Sequence, residues 1–323
     1  MAMDLPADVE SMGILESKEI SVIIVTKGAG DYLRKCLSSL RGQSLPPGEI
    51  IVMDNSLDSS FSPAILREFP SVKVLSSPNN LYYGASLNKG LSLTRSQFVL
   101  CLNDDVVLGR DFILEAGKGF LLNENIGMVS GKILRMDGSI LDSTGLFLTL
   151  WYSARERGYG RQDKGDFDRP GFVFGVSGSV AFYRRKMLED IKEKGDYFDP
   201  EFKMFYEDLD ISWRAHNRGW KAYYLPSAKA FHARGGSFRP AGGLGRPFAR
   251  RYLDDDLHGE LIKNRYLAFL KNASPFSIAA RIIPILLYDF CAWFFIIFFR
   301  PAALRAVFSK LRQSSRFGFD KQS

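Results

Sequence analysis

The sequence predicts an α/β protein whose mainly parallel sheet is flanked by helices. Through residue 131, short apolar runs rich in β-branched residues alternate with segments of helical periodicity, the pattern of βαβ units. Residues 282–299 are the most apolar run and predict a separate helical extension near the C-terminus. With 323 residues, 46% of them hydrophobic, the chain is long enough for one large core and this appendage.

Strands and helices are expected in strict alternation in the first half. The expected strands are 20–26, 49–54, 72–76, 97–102 and 126–131. The expected helices are 31–43, 62–68, 82–94 and 110–122. In the first of them Leu33, Leu37 and Leu40 recur at helical spacing and define a buried face. Such crossover units place helices on both faces of the sheet.

The alternation ends after residue 131. Residues 132–183 predict mixed strands and loops, followed by helices at 184–193 and 207–218 and a strand at 221–226. Residues 234–249 contain five Gly and two Pro, which predicts a mobile loop or lid. The expected domains are a flexible arm (1–18), one domain (19–272) with halves 19–131 and 132–272, and a membrane-associating helical tail (273–323).

The charge of the chain points to a membrane surface. The formal net charge is +7, and the basic residues after the apolar run are Arg300, Arg305, Lys310, Arg312 and Arg316. This placement favours an anionic membrane over a nucleic acid as the partner of the tail. Asp289 would cost about 2.5–3.5 kcal/mol at a bilayer centre. We therefore expect an interfacial or re-entrant helix, with a true span as the main alternative and a buried helix of a soluble core as a weaker one.

The cysteines and the N-terminus argue against a secreted or zinc-stabilised protein. Cys36, Cys101 and Cys291 are widely spaced and form no CxxC pair, so a structural zinc site is not expected. Cys36 and Cys101 fall within predicted elements and are expected to be buried thiols of a reducing compartment. The N-terminal residues lack the apolar core of a secretory signal.

Asn103, Asp104 and Asp105 directly follow the fourth predicted strand. Ligands of open α/β sheets bind at the carboxyl ends of strands. Carboxylate oxygens there suit Mg²⁺ or Mn²⁺, which can bridge to a diphosphate. A simple turn or helix cap is the alternative interpretation of these residues.

A second acidic cluster, Glu207, Asp208 and Asp210, begins a predicted amphipathic helix. Acids in a first helical turn can simply complement the helix dipole. Alternatively, Asp208 or Glu207 could take a proton from an attacking hydroxyl in a cleft. His232 follows a strand-like segment and could be an ordinary polar residue or part of the site.

The loops after the first two strands give weaker signals. Asp54 opens a run of turn-forming residues, which can form Asx turns or bind a base or ribose. Residues 27–30 are not a dinucleotide fingerprint, because GxGxxG would require glycine at Leu33. The P-loop pattern is also absent from the sequence, which argues against ATP or GTP hydrolysis.

With its motifs in this order along the sequence, the chain resembles inverting family-2 glycosyltransferases of the GT-A fold. The resemblance is strongest to the bacterial rhamnosyltransferase-like branch that builds cell-surface polysaccharides. The stretches that carry the resemblance are SVIIVTKG, YLRKCLSSLRGQS, EIIVMDNSLDSS, NNLYYGASLNKGL, FVLCLNDDVVL, GVSGSVAFYRRKML, FDPEFKMFYEDLDISWRAHNRGWKAYYLPSAKAFH and KNRYLAFLKN. Each is weakly diagnostic singly, and their combination over residues 20–272 is specific.

The resemblance implies a nucleotide-sugar site with a metal ion. The residues that match its donor-binding positions are Thr26, Asp54, Asn80, Gly84, Asn88 and Asp104. Thr26 and Asp54 would contact the base and ribose, and Asp104 the ribose or sugar. Asp105 would bind Mg²⁺ or Mn²⁺ directly, and His232 matches a histidine that often completes the metal site.

The resemblance also implies a catalytic pair. Glu207 and Asp208 match the acidic pair before the acceptor helix, with Asp208 as the base, and Trp213 is expected on the acceptor side. Two positions depart from the family pattern. Asn103 replaces the first Asp of the motif, as is common in this branch, and Lys27 stands where Asn, Arg or Tyr is more usual, so it receives no role.

The implied activity is inverting transfer of a sugar, with rhamnose as the first candidate, from a dTDP-, UDP- or GDP-linked donor. The expected acceptor is a lipid-linked or cell-surface saccharide at the cytoplasmic face of a bacterial inner membrane. One alternative is a sugar nucleotidyltransferase, which would need a Gly-rich basic loop where residues 27–30 offer only Lys27. The other is a non-catalytic membrane-surface scaffold, against which the intact acidic residues argue. No nucleic-acid partner is expected.

Overall fold

The computed structural model describes residues 15–28, 30–58, 61–234 and 254–314. Most of the expected N-terminal arm, the expected mobile loop from residue 235 onward and the end of the basic tail therefore lie outside the described residues. Leu15, at the edge of the expected arm, is buried against the core.

The centre of the molecule is a ten-stranded mixed sheet. The strands are β1 Ile20–Thr26, β2 Glu49–Asp54, β3 Lys73–Ser76, β4 Phe98–Asn103, β5 Val106–Leu108, β6 Ile126–Arg135, β7 Leu141–Ser143, β8 Leu146–Leu148, β9 Ala154–Glu156, β10 Gly171–Val173, β11 Val180–Arg184 and β12 Lys221–His232. The order along the main path is β10-β12-β6-β11-β4-β1-β2-β3, with β5 on β12 and β7 on β6, while β8 and β9 form a separate hairpin.

Helices cover the sheet and continue beyond it. They are α1 Gly30–Arg41, α2 Phe61–Glu68, α3 Tyr82–Leu93, α4 Phe112–Leu121, α5 Arg185–Asp190, α6 Glu207–Asn217, α7 Asp255–Asn272, α8 Pro275–Ala280, α9 Ile282–Phe299 and α10 Ala303–Gln313. The predicted α/β fold with a C-terminal apolar helix is confirmed. Cys36 and Cys101 are buried, as expected.

The parallel half brings several strand ends together. Strands β4, β1, β2 and β3 run parallel, with Thr26 opposite Asp54 and Val25 opposite Asn103. Strands β1, β2 and β4 are largely apolar and buried because both of their faces pack into the core, whereas β3 at the edge is partly exposed. Their carboxyl ends therefore meet at one edge, where the sequence placed its acidic candidates.

Strand β12 is twice as long as predicted and ends at His232. The predicted strand ended at Pro226, and proline is normally excluded from the interior of a sheet. In the structure, pairing with β6 breaks between Leu225 and Lys229 and then resumes, so Pro226 lies in an irregularity that needs no ladder hydrogen bond. Gly131 allows this close approach, because a Cβ there would lie 2.3 Å from the Ala228 carbonyl oxygen.

The C-terminal helices form a second packed unit. Helix α7 packs between α6 and α10. One described helix, α9, is long and apolar enough to cross a membrane. Its buried side chains are Ile285 and Ile296, and Asp289 on the same face forms an ion pair with Arg265 of α7. The opposite face exposes large apolar side chains, including Leu287 and Phe290.

Candidate functional site

Thr26 links the first strand to the acidic motif. Its hydroxyl donates to Asp104 Oδ2 at 2.5 Å and accepts a hydrogen bond from the N–H of Gly28 at 3.0 Å. Burial raises the pKa of Asp104 to about 6 against the effect of the Thr26 hydrogen bond, and the charge of Asp105 adds to the rise. Thr26 and Asp104 thus lie together, and their contact with a nucleotide-sugar stays a prediction.

Asp54 forms an Asx turn, which was the alternative to binding a base or ribose. Its Oδ1 accepts a hydrogen bond from the N–H of Ser56 at 2.8 Å. Its Oδ2 accepts from the hydroxyls of Ser62 at 2.7 Å and Ser76 at 3.2 Å. The carboxylate is 2% exposed. Nucleotide contact by Asp54 stays a prediction.

Asn80, Gly84 and Asn88 mainly order their own surroundings. Asn80 Oδ1 accepts from the N–H of Tyr82 at the start of α3. A Cβ at Gly84 would lie 3.3 Å from the Cβ of Phe198. All four hydrogen-bonding positions of the Asn88 amide are used on residues 196–198. In this structure Asn88 therefore anchors that segment and presents no spare amide atom to a donor.

Asp105 and His232 come together from distant parts of the chain. The Nε2 of His232 lies 3.1 Å from Asp105 Oδ1, and its Nδ1 lies 2.8 Å from Asp142 Oδ2. Burial by itself would lower the pKa of His232, but the two carboxylates raise it to about 9. The extension of β12 beyond Pro226 creates this contact.

Asp142, which the sequence analysis missed, anchors His232 from β7. Its carboxylate is fully buried and also pairs with Arg135 at 2.8 Å and Arg234 at 2.6 Å. Burial would raise its pKa, yet the hydrogen bond with His232 and the charge of Arg234 lower it to about 2. No local pattern marks Asp142, because its partners lie at least seven residues away in sequence or come from another strand.

Asp105 and His232 could together hold a divalent cation if the cation displaces the proton that the raised pKa of His232 keeps on the imidazole. Asp105 supplies carboxylate oxygen, and His232 would supply Nε2 while Asp142 fixes the ring through Nδ1, an arrangement typical of metal-binding histidines. Within the described ranges, no group of three or more His, Cys, Asp or Glu residues is arranged to hold a metal. With two protein ligands, the remaining ligands of such a cation would have to come from a bound substrate or from water.

The second acidic cluster lies at the N-terminal end of α6. Asp208 Oδ2 accepts a hydrogen bond from the N–H of Gly178 at 3.1 Å, and Oδ1 accepts from the N–H of Leu209 at 2.8 Å. Glu207 Oε2 is buried and accepts no hydrogen bond from any described residue. Burial raises the pKa of Glu207 to about 8, with a contribution from the charge of Asp208, and burial also raises the pKa of Asp208.

Glu156, at the end of β9, is a third carboxyl group beside this pair. It accepts hydrogen bonds from the hydroxyls of Ser143 and Ser177, the latter at 2.9 Å. Burial raises its pKa to about 7, and the charge of Asp208 adds to the rise. Glu156 is not marked by the sequence, because a single Glu among Arg, Gly and Tyr residues forms no recognisable motif.

Trp213, which was expected on the acceptor side, is buried. It is 7% exposed, and its ring packs against Tyr152 at 5.1 Å and Phe174 at 6.1 Å between centroids. The residue therefore supports α6 from within an aromatic cluster. Its burial argues against direct contact with an acceptor.

A cavity of about 330 Å³ opens beside Asp105. Its lining residues are Tyr32, Lys35, Asp105, Val107, Met136 and Ala233. The cavity adjoins the carboxyl ends of the strands, where the fold is expected to bind its ligand.

Comparison with known proteins identifies the family. Residues 21–192 match the model described as glycosyl transferase family 2. The chain is 25% identical over 244 residues to N-acetylglucosaminyl-diphospho-decaprenol L-rhamnosyltransferase of Mycobacterium tuberculosis, which covers 66% of this chain and 75% of the relative. It is 26% identical over 214 residues to poly-beta-1,6-N-acetyl-D-glucosamine synthase of Staphylococcus epidermidis, covering 65% of this chain and about half (48%) of the synthase.

Solved structures share the fold at low sequence identity. GalNAc-T7 with UDP, GalNAc and Mn²⁺ aligns with a TM-score of 0.57 and 15% identity over 79% of this chain and 48% of that chain. The mannosyltransferase PcManGT of Pyrobaculum calidifontis, in complex with GDP-Man and Mn²⁺, aligns with a TM-score of 0.53 and 15% identity over 94% and 76%. Since the family model spans more than half of the chain, the protein belongs to glycosyl transferase family 2, and it shares the GT-A fold of the solved structures.

Proposed function

We propose that the protein is an inverting glycosyltransferase in which Asp208 is the general base. The observation that carries this proposal is the loop formed by residues 177–179, which contacts both parts of the site. The N–H of Asn103 donates to the Ser179 carbonyl at 3.0 Å, and the N–H of Gly178 donates to Asp208 at 3.1 Å. A base and a diphosphate-binding motif that share one loop can act on the two sides of one anomeric carbon.

The reaction is a single displacement. Asp208 takes the proton of an acceptor hydroxyl, and the oxygen forms a bond to the anomeric carbon as the bond to the diphosphate breaks. Because attack comes from the side opposite the leaving group, the configuration inverts. One base is sufficient, since a diphosphate leaves without a general acid. The raised pKa of Asp208 brings the base closer to neutral pH, where proton transfer is most efficient.

The metal ion is proposed to be Mg²⁺ or Mn²⁺ on Asp105 and His232. When bound, it would supply Lewis-acid stabilisation of the leaving diphosphate. The donor set described above supports this assignment, as do the two solved glycosyltransferases that contain Mn²⁺. Thr26 and Asp104 hold each other beside this position and are proposed to contact the nucleoside and sugar of the donor.

The relatives support a proposal for the donor and acceptor classes. We propose a dTDP-, UDP- or GDP-linked donor, with rhamnose as the first sugar to test, because one relative is named as a rhamnosyltransferase acting on a decaprenol-linked acceptor. The corresponding acceptor here is a lipid-linked or growing cell-surface saccharide. This choice agrees with the exposed apolar face of α9.

We further propose that α9 lies in the plane of the cytoplasmic face of a bacterial inner membrane. One face of the helix is fixed to α7 by the Asp289–Arg265 ion pair and by the Trp293 indole, which donates to the Tyr266 hydroxyl at 3.1 Å. A helix fixed along its length to a folded domain lies beside the bilayer more readily than through it. Its exposed apolar face would enter the headgroup region.

The decisive experiment compares wild type with Asp208→Asn. We expect the variant to lose about 10²- to 10⁴-fold in kcat while donor affinity stays within about twofold, because general base catalysis is removed and the donor contacts remain. Release of nucleoside diphosphate, together with NMR of the product anomer, tests transfer and inversion. Unchanged turnover in Asp208→Asn would disprove the base assignment, and pyrophosphate release would indicate a nucleotidyltransferase.

A further inference from the structure

The backbone that leads into α6 is strained. Phe205 and Tyr206, the two residues before Glu207, both have left-handed backbone angles, with φ of 70° and 71°. Consecutive non-glycine residues rarely adopt this conformation, because the Cβ approaches the backbone. Such a conformation persists only where the surrounding structure holds it.

Asn264 of α7 provides that restraint. Its side chain is completely buried, and its amide Nδ2 donates to two successive carbonyl oxygens, Met204 at 2.8 Å and Phe205 at 2.9 Å. Its neighbour Lys263 donates to the Glu201 carbonyl at 2.7 Å. Carbonyls outside regular secondary structure need such partners when they are buried.

The same helix also holds the far side of the acidic pair. Lys271 and Asn272 of α7 both contact Asp210, in the first turn of α6, at 3.2 Å and 2.9 Å. Asp210 is fully buried. Helix α7 therefore fixes the backbone immediately before Glu207 and the side chain two residues after Asp208.

Asparagine suits this position for a chemical reason. A primary amide carries two N–H donors on one nitrogen, so one short side chain can reach two neighbouring carbonyls. Leucine has a similar volume and no donor, and an ionised aspartate has acceptors only. Asn264 belongs to the stretch KNRYLAFLKN, to which the sequence analysis assigned no function.

We propose that Asn264 is a positioning residue for the general base. It holds the left-handed turn at Phe205 and Tyr206, and this turn sets where Glu207 and Asp208 enter the site. The inference rests on the proposed function, in which Asp208 takes the proton of the acceptor.

The test compares Asn264→Leu with wild type in the full-length protein. Calorimetric titration gives the number of sites that bind the nucleotide-sugar donor, and kcat is expressed per such site. We expect kcat to fall about 10- to 100-fold while the donor Kd stays within about twofold, because a base displaced by an ångström loses much of its effect. The acid limb of the kcat–pH profile should also move to higher pH, since Asp208 would lose its hydrogen bond with Gly178.

Two controls separate positioning from lost stability. Ile262→Val trims a buried side chain on the face of α7 that packs against α9 and α10. Asn217→Leu removes an amide that donates from the far end of α6 to the Asn272 carbonyl at 2.9 Å. Both can lower Tm, but kcat per donor-binding site and the pH profile should remain those of wild type.

The outcomes are distinct. If Asn264→Leu keeps the wild-type kcat per site while Asp208→Asn loses turnover, the positioning role is overturned and the base assignment stands. If Asp208→Asn also turns over normally, the proposed function itself fails. Should Asn264→Leu not bind donor, Asn264→Asp, which keeps the shape of the side chain, is tested against the same two expectations.

Discussion

Two carboxyl groups with opposite pKa shifts flank the site. Asp142 is ionised far below neutral pH because His232 and Arg234 outweigh its burial, and Glu156 holds its proton to about pH 7 because burial and the charge of Asp208 act together. The first can keep an imidazole oriented. The carboxyl of Glu156 is protonated and neutral beside Asp208 below about pH 7. Above that pH it ionises and adds a second negative charge next to the base.

Glu156→Gln is expected to change how stability depends on pH. The pKa of Glu156 is raised from 4.5 to about 7 in the folded state, although the charge of Arg234 opposes part of the shift. The protonated carboxyl's contribution to the free energy of unfolding is therefore complete below pH 4.5, and it is lost as the pH rises through 7. At pH 8 the neutral variant should exceed wild type by about 1–3 kcal/mol in urea unfolding, and the difference should vanish near pH 4.5. The exposed Glu124→Gln serves as the control. An equal difference at both pH values would contradict the prediction.

Asp142→Asn is expected to weaken metal binding. The variant keeps the shape of the side chain but removes the charge that orients His232, and such outer partners are typically worth 10- to 100-fold in metal affinity. A Mn²⁺ titration followed by electron paramagnetic resonance measures this directly. Asp163→Asn, which removes a partner of Lys132 in a neighbouring loop, should bind Mn²⁺ as wild type does. Equal Mn²⁺ affinity in Asp142→Asn and wild type would argue against His232 as a ligand.

Secondary-structure elements decide which of these residues can meet. Strand β12 continues past Pro226 and carries His232 to Asp105, and hairpin β8–β9 carries Glu156 to the loop beside Asp208. Helix α7 links this region to α9 through Arg265, whose side chain is 3% exposed. Its guanidinium donates two hydrogen bonds to the Trp151 carbonyl and forms an ion pair with Asp289 of α9. The apolar helix is therefore part of the folded unit.

Asp289→Leu makes α9 more apolar and should nevertheless destabilise the protein. Removing the carboxylate leaves the buried Arg265 guanidinium without its ion partner, a change that typically costs about 3–5 kcal/mol at buried pairs and less where the partner is partly exposed. Thermal unfolding in detergent-free buffer measures the effect. Phe290→Ala, at a residue that is 70% exposed, should change stability by less than about 0.5 kcal/mol. If Asp289→Leu raises Tm, the ion pair does not hold α9 in place.

At the scale of the whole molecule, the described C-terminal helices expose many large apolar side chains. The exposed apolar residues of the C-terminal helices include Phe276, Ile283, Leu287, Phe290, Phe298 and Phe308. Arg281 and Arg300 lie at the two ends of α9, and the chain as a whole is cationic. An apolar surface with cationic ends would suit an anionic bilayer, which agrees with the lipid-linked acceptor proposed above.

The depth of Cys291 in a bilayer distinguishes an in-plane helix from a spanning one. Cys291 is the only exposed one of the three cysteines, so a thiol-reactive fluorophore labels the natural chain at the middle of α9. On vesicles containing anionic lipid, depth-dependent quenchers should locate the fluorophore about 5–10 Å below the headgroup boundary. A position near the bilayer midplane, about 15 Å deep, would show that α9 spans the membrane.

The sequence by itself determined the α/β architecture, the apolar C-terminal helix and the strand ends at which the acidic residues lie. These follow from local periodicity and from the rule that parallel strands present their carboxyl ends at one edge. Asp104 and Asp105 were found in this way. The order of the motifs along the chain identified the family as well.

Only the tertiary structure decided which polar groups act on one another. Asp142 and Glu156 belong to no motif, and their pKa values are set by burial and by charges that come from other strands and helices. The amide of Asn88, predicted to lie beside the donor, is used within the protein, and Asn264 gains a function only because α7 packs behind Phe205. Hydrogen bonding and desolvation depend on which residues meet in space, whereas periodicity records only the face on which each residue lies.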